Sequence, residues 1–432
     1  MSLSRPVSSR ALASQSTTLS IRPQAPGGVD WRKGLPALVC DGFVLREPRL
    51  ADAPSLLESL STAEVWKFMS RPPGDVATFE RFILWLQSQR RLGRCFCYGI
   101  VPHSSSAAVG LVQVRQIEPG FGSAEWGFAL GSSHWGTGLF LGSARAVVDF
   151  AFRHIGTYHL EARASTENSR ANGALRKLGA KLAGVLRKSL MSGESPMDQL
   201  LWSIHTDDWR RQPEPSTYAL GEPSADDLPP AGGPASGHTP EAWRLSLPHL
   251  AGRLCTLREL SLEDAPTLLR HTTDPDVARF IPPGPTTLVD LHAFIRWTHL
   301  QRELGRSVCF GVVPAGDTRA AGLFQIRQAD YSFQTAEWGF VLGKPYWGSG
   351  VFPAAARMVL DFAFGTIGVQ RLEARVPTGN TRGSQSLKKL GAVREGQLRR
   401  SFLLDGVYHD DSLWAILAED WRRRQTDVHQ SQ

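Results

Sequence analysis

Apolar residues at Phe140, Ala144, Val147, Val148 and Ala151 recur at the three-to-four-residue interval of a helix buried on one face. Phe352, Ala356, Val359, Leu360 and Ala363 repeat that pattern further along. Ahead of the first of these helices the period changes. Cys95 to Pro102 and Ala107 to Arg115 run apolar or alternate, with many β-branched and aromatic residues, and Ser123 to Leu130 follows a Gly-rich turn. A strand at Phe43 to Glu47 and helical segments at Ala51 to Leu60 and Ala77 to Leu92 come first. Three meandering strands before a glycine turn and a helix predict a mixed sheet in an α/β fold.

The pattern occurs twice because the chain is duplicated. Ala124 to Phe140 reads AEWGFALGSSHWGTGLF and returns as AEWGFVLGKPYWGSGVF from Ala336 to Phe352, at a spacing of 212 residues. Leu45-Arg46-Glu47 matches Leu257-Arg258-Glu259, Leu160-Glu161-Ala162-Arg163 matches Leu372-Glu373-Ala374-Arg375, and Asp208-Trp209-Arg210-Arg211 matches Asp420-Trp421-Arg422-Arg423. The spacing predicts two domains, 31–211 and 243–423, each long enough to bury its own core.

Between them, residues 212–242 are rich in Pro, Gly, Ser and Ala, with five acids and neither Lys nor Arg, and read as a flexible to semi-extended linker. It leaves the domains free to dock face to face as an intramolecular pseudo-dimer. Residues 1–30 carry Arg and Ser without a signal-peptide apolar run and read as a disordered tail, and residues 424–432 read as a second tail. A transit peptide shares the N-terminal bias, but the reading is a cytoplasmic protein. No apolar stretch is long enough to span a membrane. The net charge of +7 suits an anionic cofactor or acidic patch, and no basic stripe with stacking aromatics points to nucleic acid. The five cysteines lack the spacing of a disulfide or zinc framework, and no metal is expected.

The glycine turn carries the first candidate chemistry. Gly136 and Gly138, like Gly348 and Gly350, let backbone amides face outward at a helix N-terminus, where the helix dipole favours a pyrophosphate. No G-K-[ST] follows, which disfavours the nucleoside triphosphate loop.

Taken in order, Glu125-Trp126-Gly127-Phe128, Trp135-Gly136-Thr137-Gly138, Leu160-Glu161-Ala162-Arg163, and Asn168 eleven residues before Gly179 resemble the GNAT acyltransferase family, in particular its ribosomal-protein N-terminal acetyltransferase (RimJ/RimL-type) subgroup. The second copy adds Lys344 to Gly350, Asn380 to Gly391 and Asp405 to Asp410. The resemblance implies two tandem domains, each a splayed mixed sheet flanked by helices and each binding acetyl-CoA. Trp135, Gly136, Thr137, Gly138, Leu139 and Phe140 would supply amides to the pyrophosphate, as would Trp347, Gly348, Ser349, Gly350, Val351 and Phe352. Phe128, Ala129 and Leu130, and Phe340, Val341 and Leu342, would offer backbone groups to pantetheine. Asn168 and Asn380 would bond near the pantetheine or cap the helix that follows. The tyrosine that often serves the family as general acid is replaced by Leu175 and Leu387.

Glu125 and Glu337 are the candidate general bases, since a carboxylate in an otherwise apolar strand is costly unless paired or wet. The competing role is an ion pair with Arg115 or Arg327. Freeing a peptide α-amine at pH 7 costs about 1 kcal/mol, against about 4.6 kcal/mol for a lysine, so a modest base suffices for a protein N-terminus. The expected activity is acetyl transfer to a primary amine. Small-molecule or antibiotic acetylation, and a CoA-binding scaffold with inactive copies, are the alternatives. Ser132-Ser133-His134 stands where the second copy has Lys344-Pro345-Tyr346, so the first copy is the one expected to be degenerate if either is. The segments bordering the amine, Ala63 to Leu92 and Pro275 to Leu304, diverge strongly and leave the substrate open.

Overall fold

The computed structural model describes residues 30–211, 218–223 and 242–430, apart from 70–73, 118–119, 193–194, 282–283, 330–332 and 405. The expected N-terminal tail thus lies outside the described residues except for Asp30.

In the first half, strands β1 (Pro36–Cys40) and β2 (Phe43–Arg46) form a hairpin, followed by helices α1 (Ala53–Leu60) and α2 (Val76–Arg91). The meander β3 (Cys95–Pro102), β4 (Gly110–Gln116) and β5 (Ser123–Leu130) leads into α3 (Leu139–Phe150). Then come β6 (His159–Ser165), α4 (Ser169–Lys177) and the hairpin β7 (Lys181–Ser192) and β8 (Ser195–His205). Every strand pair is antiparallel except β5 with β6, which is parallel, so the sheet is mixed as expected.

A further strand, β9 (Ala219–Pro223), corrects the linker reading: it lies inside 212–242 yet pairs antiparallel with β1. Its side chains are largely exposed and the pairing runs through backbone groups, so no apolar alternation announces it. Tyr218 fixes its start by donating to Asp149.

The second half repeats the plan with β10 (Leu250–Ala251), β11 (Cys255–Glu259), α5 (Ala265–Thr272), α6 (Leu288–Glu303), β12 (Ser307–Pro314), β13 (Gly322–Gln328) and β14 (Thr335–Leu342). It continues through α7 (Val351–Phe362), β15 (Arg371–Pro377), α8 (Thr381–Leu390), β16 (Val393–Leu404), β17 (Val407–Leu417) and α9 (Ala418–Gln430). The last helix runs through most of the stretch read as a C-terminal tail, because its register carries on past Trp421, which is anchored by its indole to Asp361.

Each half has an apolar core on both faces of its sheet. One face packs α3 or α7; the other packs α1 and α2, or α5 and α6. The repeated Leu-Arg-Glu holds these layers together. Arg46 forks onto Asp52 at 2.7 and 2.8 Å ahead of α1, and Arg258 does the same to Asp264. Glu47 accepts from the buried Arg90 of α2 at 2.7 Å. All five cysteines are buried and free, and burial pushes the Cys95 and Cys309 thiols up to about 12, so they are inert.

The halves dock about a pseudo-dyad. Strands β7 and β16 meet at Gly184↔Gly396, two equivalent positions. Only glycine fits there: a Cβ on Gly184 would lie 2.5 Å from the Glu395 carbonyl oxygen, and one on Gly396 would lie 2.8 Å from that of Ala183. Leu186 and Leu201 of one half bury completely against Leu398 and Leu413 of the other, each contributing about 2 kcal/mol. The contact between the halves therefore runs along β7 and β16, with the four leucines beside them.

Candidate active site

The parallel ladder between β5 and β6 runs Ser123↔His159, Ala124↔Leu160, Glu125↔Glu161 and stops, while β5 continues to Leu130. The same happens at Thr335↔Arg371 to Glu337↔Glu373, with β14 continuing to Leu342. The backbone of Phe128, Ala129 and Leu130, and of Phe340, Val341 and Leu342, therefore lines the edge of a splayed sheet, open to an extended ligand.

The glycine turn lies at the end of that edge. Gly138 and Gly350 are the residues before α3 and α7, with φ of 87° and 86°. Gly136 and Gly348 have φ of 80° and 77°, and a Cβ on Gly136, Gly138 or Gly348 would meet nothing within 4 Å. The turn is thus open on its outer side, with the first turn of a helix behind it, whose leading amides at Leu139 and Val351 donate to the Thr137 and Ser349 hydroxyls at 3.4 Å. Trp135 and Trp347 brace it from within, each indole N–H donating to a carbonyl of the splayed strand, Leu130 or Leu342, at 2.8 Å. Phe140 and Phe352 turn inward onto Phe128 and Phe340, with ring centroids 4.2 and 4.8 Å apart, which keeps their bulk off the turn.

Asn168 and Asn380 cap α4 and α8: their side-chain oxygens accept from Ala171 N at 3.0 Å and Gly383 N at 2.8 Å. Two residues on, Arg170 and Arg382 stack over Trp135 and Trp347 at 4.0 and 4.1 Å. Each half thereby sets a guanidinium beside the glycine turn, where phosphate charge would accumulate. Sequence reasoning passed over both arginines, although Asn-x-Arg occurs in each copy at the common spacing. Leu175 and Leu387, in place of the family's tyrosine, are fully buried.

Glu125, Gly127 and Ala129 share the face of β5 turned toward α1 and α2. Gly127 leaves open floor there, for a Cβ would meet nothing within 4 Å; Gly339 does the same. The Glu125 Oε2 accepts from Arg115 at 2.9 Å and lies 3.6 Å from Arg163 Nε. Glu337 mirrors it, with Arg327 at 3.0 Å and Arg375 Nε at 3.7 Å. Both carboxylates are thus ion-paired and remain partly exposed, at 18% and 19%. Asp198 and Asp410 accept from the backbone N–H of Lys188 and Arg400, where β7 and β16 bulge with φ of 49° and 53°. They fix the hairpins that dock the halves.

No group of three or more His, Cys, Asp or Glu suited to a metal occurs among the described residues, and no helix among them is long and apolar enough to cross a membrane. A splayed parallel pair ending at an open helix N-terminus is the build of an acyl-CoA-dependent acyltransferase. A model of the acetyltransferase (GNAT) domain matches residues 43–181 and 254–393, more than half of the chain, which therefore belongs to the GNAT family and is an N-acetyltransferase. The uncharacterized N-acetyltransferase p20 of Bacillus licheniformis is 28% identical over 170 residues, covering 38% of this chain and 94% of that protein. Spermidine N(1)-acetyltransferase of Escherichia coli (strain K12) is 27% identical over 94 residues, 22% of this chain and 50% of that protein. Among solved structures, Mycobacterium smegmatis RimJ in complex with CoA-disulfide shares 21% identity over 42% of this chain and 89% of its own, with a TM-score of 0.37.

Proposed function

We propose that each half transfers acetyl from acetyl-CoA to the α-amine of a protein or peptide N-terminus, with Glu125 and Glu337 as general bases. Acetyl-CoA supplies the thioester carbonyl. The amides from Trp135 to Phe140, with Arg170 beside them, take the pyrophosphate; those from Trp347 to Phe352, with Arg382, do so in the second half. The freed backbone at Phe128 to Leu130, and at Phe340 to Leu342, orients pantetheine and donates N–H groups to the developing oxyanion. The amine enters over Gly127 or Gly339, gives its proton to the adjacent glutamate, directly or through water, and its nitrogen bonds to the thioester carbonyl carbon as the C–S bond breaks and CoA leaves as the thiolate.

The observation that carries the choice of amine is the ion pairing of both glutamates. Each carboxylate already engages two guanidinium groups, and an α-amine, which needs only about 1 kcal/mol of help at pH 7 where a lysine or polyamine nitrogen needs several, makes the smaller demand on it. The test is acetyl transfer from labelled acetyl-CoA to a panel of N-terminal peptides, spermidine and an aminoglycoside. Peptides should be preferred, and E125Q/E337Q should lose the activity. Preference for spermidine, or undiminished transfer by the double variant, overturns the substrate or the base assignment respectively.

A further inference from the structure

At the pseudo-dyad, Arg163 donates through both terminal nitrogens to Glu373 of the other half, at 2.9 and 2.8 Å. Arg375 returns the contact, donating to both oxygens of Glu161, with Nη2 at 2.9 Å from Oε2. The two carboxylates are essentially unexposed and the two arginines 11% and 13% exposed. Each arginine also turns its Nε toward the candidate base of its own half, Glu125 or Glu337, and neither Nε has a hydrogen-bond partner of its own.

We infer that the two active sites are built across the halves: Glu373 positions Glu125 through Arg163, and Glu161 positions Glu337 through Arg375. The inference rests on the proposed role of the two glutamates as bases. A bidentate pair leaves a guanidinium little rotational freedom, so the in-plane Nε is fixed by the partner half rather than by the half that uses it. A lone half would keep its glycine turn, its splayed edge and Arg115 or Arg327. It would lack the anchor that keeps the second arginine from swinging away, and the floor beside the amine would be loose. Glu161 and Glu373 are therefore positioning residues acting in trans.

The test uses the full chain with the second-half turn blocked by Gly350→Val, a background in which calorimetry should count one acetyl-CoA per chain. There, Glu373→Asp, which keeps the charge but shortens its reach, should lower kcat for the first half by on the order of tenfold, leave KM for acetyl-CoA unchanged and shift the acid limb of the pH–rate profile. Glu161→Asp in that background should lower kcat far less than Glu373→Asp does, because the base it positions belongs to the blocked half. In the Gly138→Val background the two variants should exchange behaviour. Equal effects in both backgrounds, or none in either, overturn the inference. Thermal midpoints separate either result from unfolding, and Arg163→Lys supplies a second variant that preserves charge while breaking the fork. Glu125→Gln in the Gly350→Val background reports on the base itself. If it keeps full rate, the base reading fails, whereas the crossed pattern still shows whether the first half depends on Glu373.

Discussion

A Cβ at Gly127 or Gly339 meets open space, and neither glycine needs the left-handed region, so substitution there should spare the fold while filling the floor beside Glu125 or Glu337. Gly127→Val with Gly339→Val is expected to raise KM for the amine at least tenfold with acetyl-CoA affinity and the melting midpoint nearly unchanged, as read by steady-state kinetics, calorimetry and thermal denaturation. Asp411 offers a second test on one side chain. Burial, joined by the nearby Glu161 and Glu337, pushes its carboxyl up to about 6 despite a hydrogen bond from Ser401 and the charge of Arg375. Its pKa is higher folded than unfolded, so the native chain holds the proton more tightly and stability falls as pH rises from about 4 through about 6. Asp411→Asn removes that liability. Its midpoint should gain on the wild type across this window, by up to roughly 3 kcal/mol in unfolding free energy at pH 7.

At the scale of elements, β7 and β16 can touch only because Gly184 and Gly396 lack side chains. Gly184→Val should cost about 1–3 kcal/mol through overpacking and part the two hairpins, visible as a larger radius of gyration in small-angle scattering. The sequence revealed what local chemistry dictates. β5 falls on the expected residues, and α3 starts directly after Gly138, because alternation and turn glycines are properties of neighbouring residues. β9 escaped notice because an edge strand with exposed side chains leaves no pattern. The glutamates illustrate the harder limit. The Arg115 and Arg327 pairs could be named in advance as an alternative role, since those strands are adjacent, whereas Arg163 and Arg375 were visible only as part of a repeated Leu-Glu-Ala-Arg. Their role depends on two segments about 210 residues apart meeting across an axis.

For the whole molecule, the contacts between halves divide by burial. Lys188 and Glu419 form an ion pair with both side chains more than two-fifths exposed, while Glu373 is buried with Arg163 and Arg371. Lys188→Ala should change stability by less than about 1 kcal/mol, and by less still in high salt. Glu373→Ala leaves buried guanidinium groups without a carboxylate and should cost on the order of 3 kcal/mol with little salt dependence. Chemical denaturation at low and high ionic strength distinguishes the two.

Around Glu373 the second half adds Arg371 and Glu395, which also engage Arg187 of the first; the equivalent positions near Glu161 are His159, kept neutral as burial lowers it to about 4, and Ala183. An ordinary two-fold dimer could not hold this arrangement, since every substitution in it appears on both sides of the axis. Joining both copies in one polypeptide removes that constraint. A residue can be tuned on one side alone, and the chain has in effect become a heterodimer that is always at equal stoichiometry and has no unmated subunit to lose.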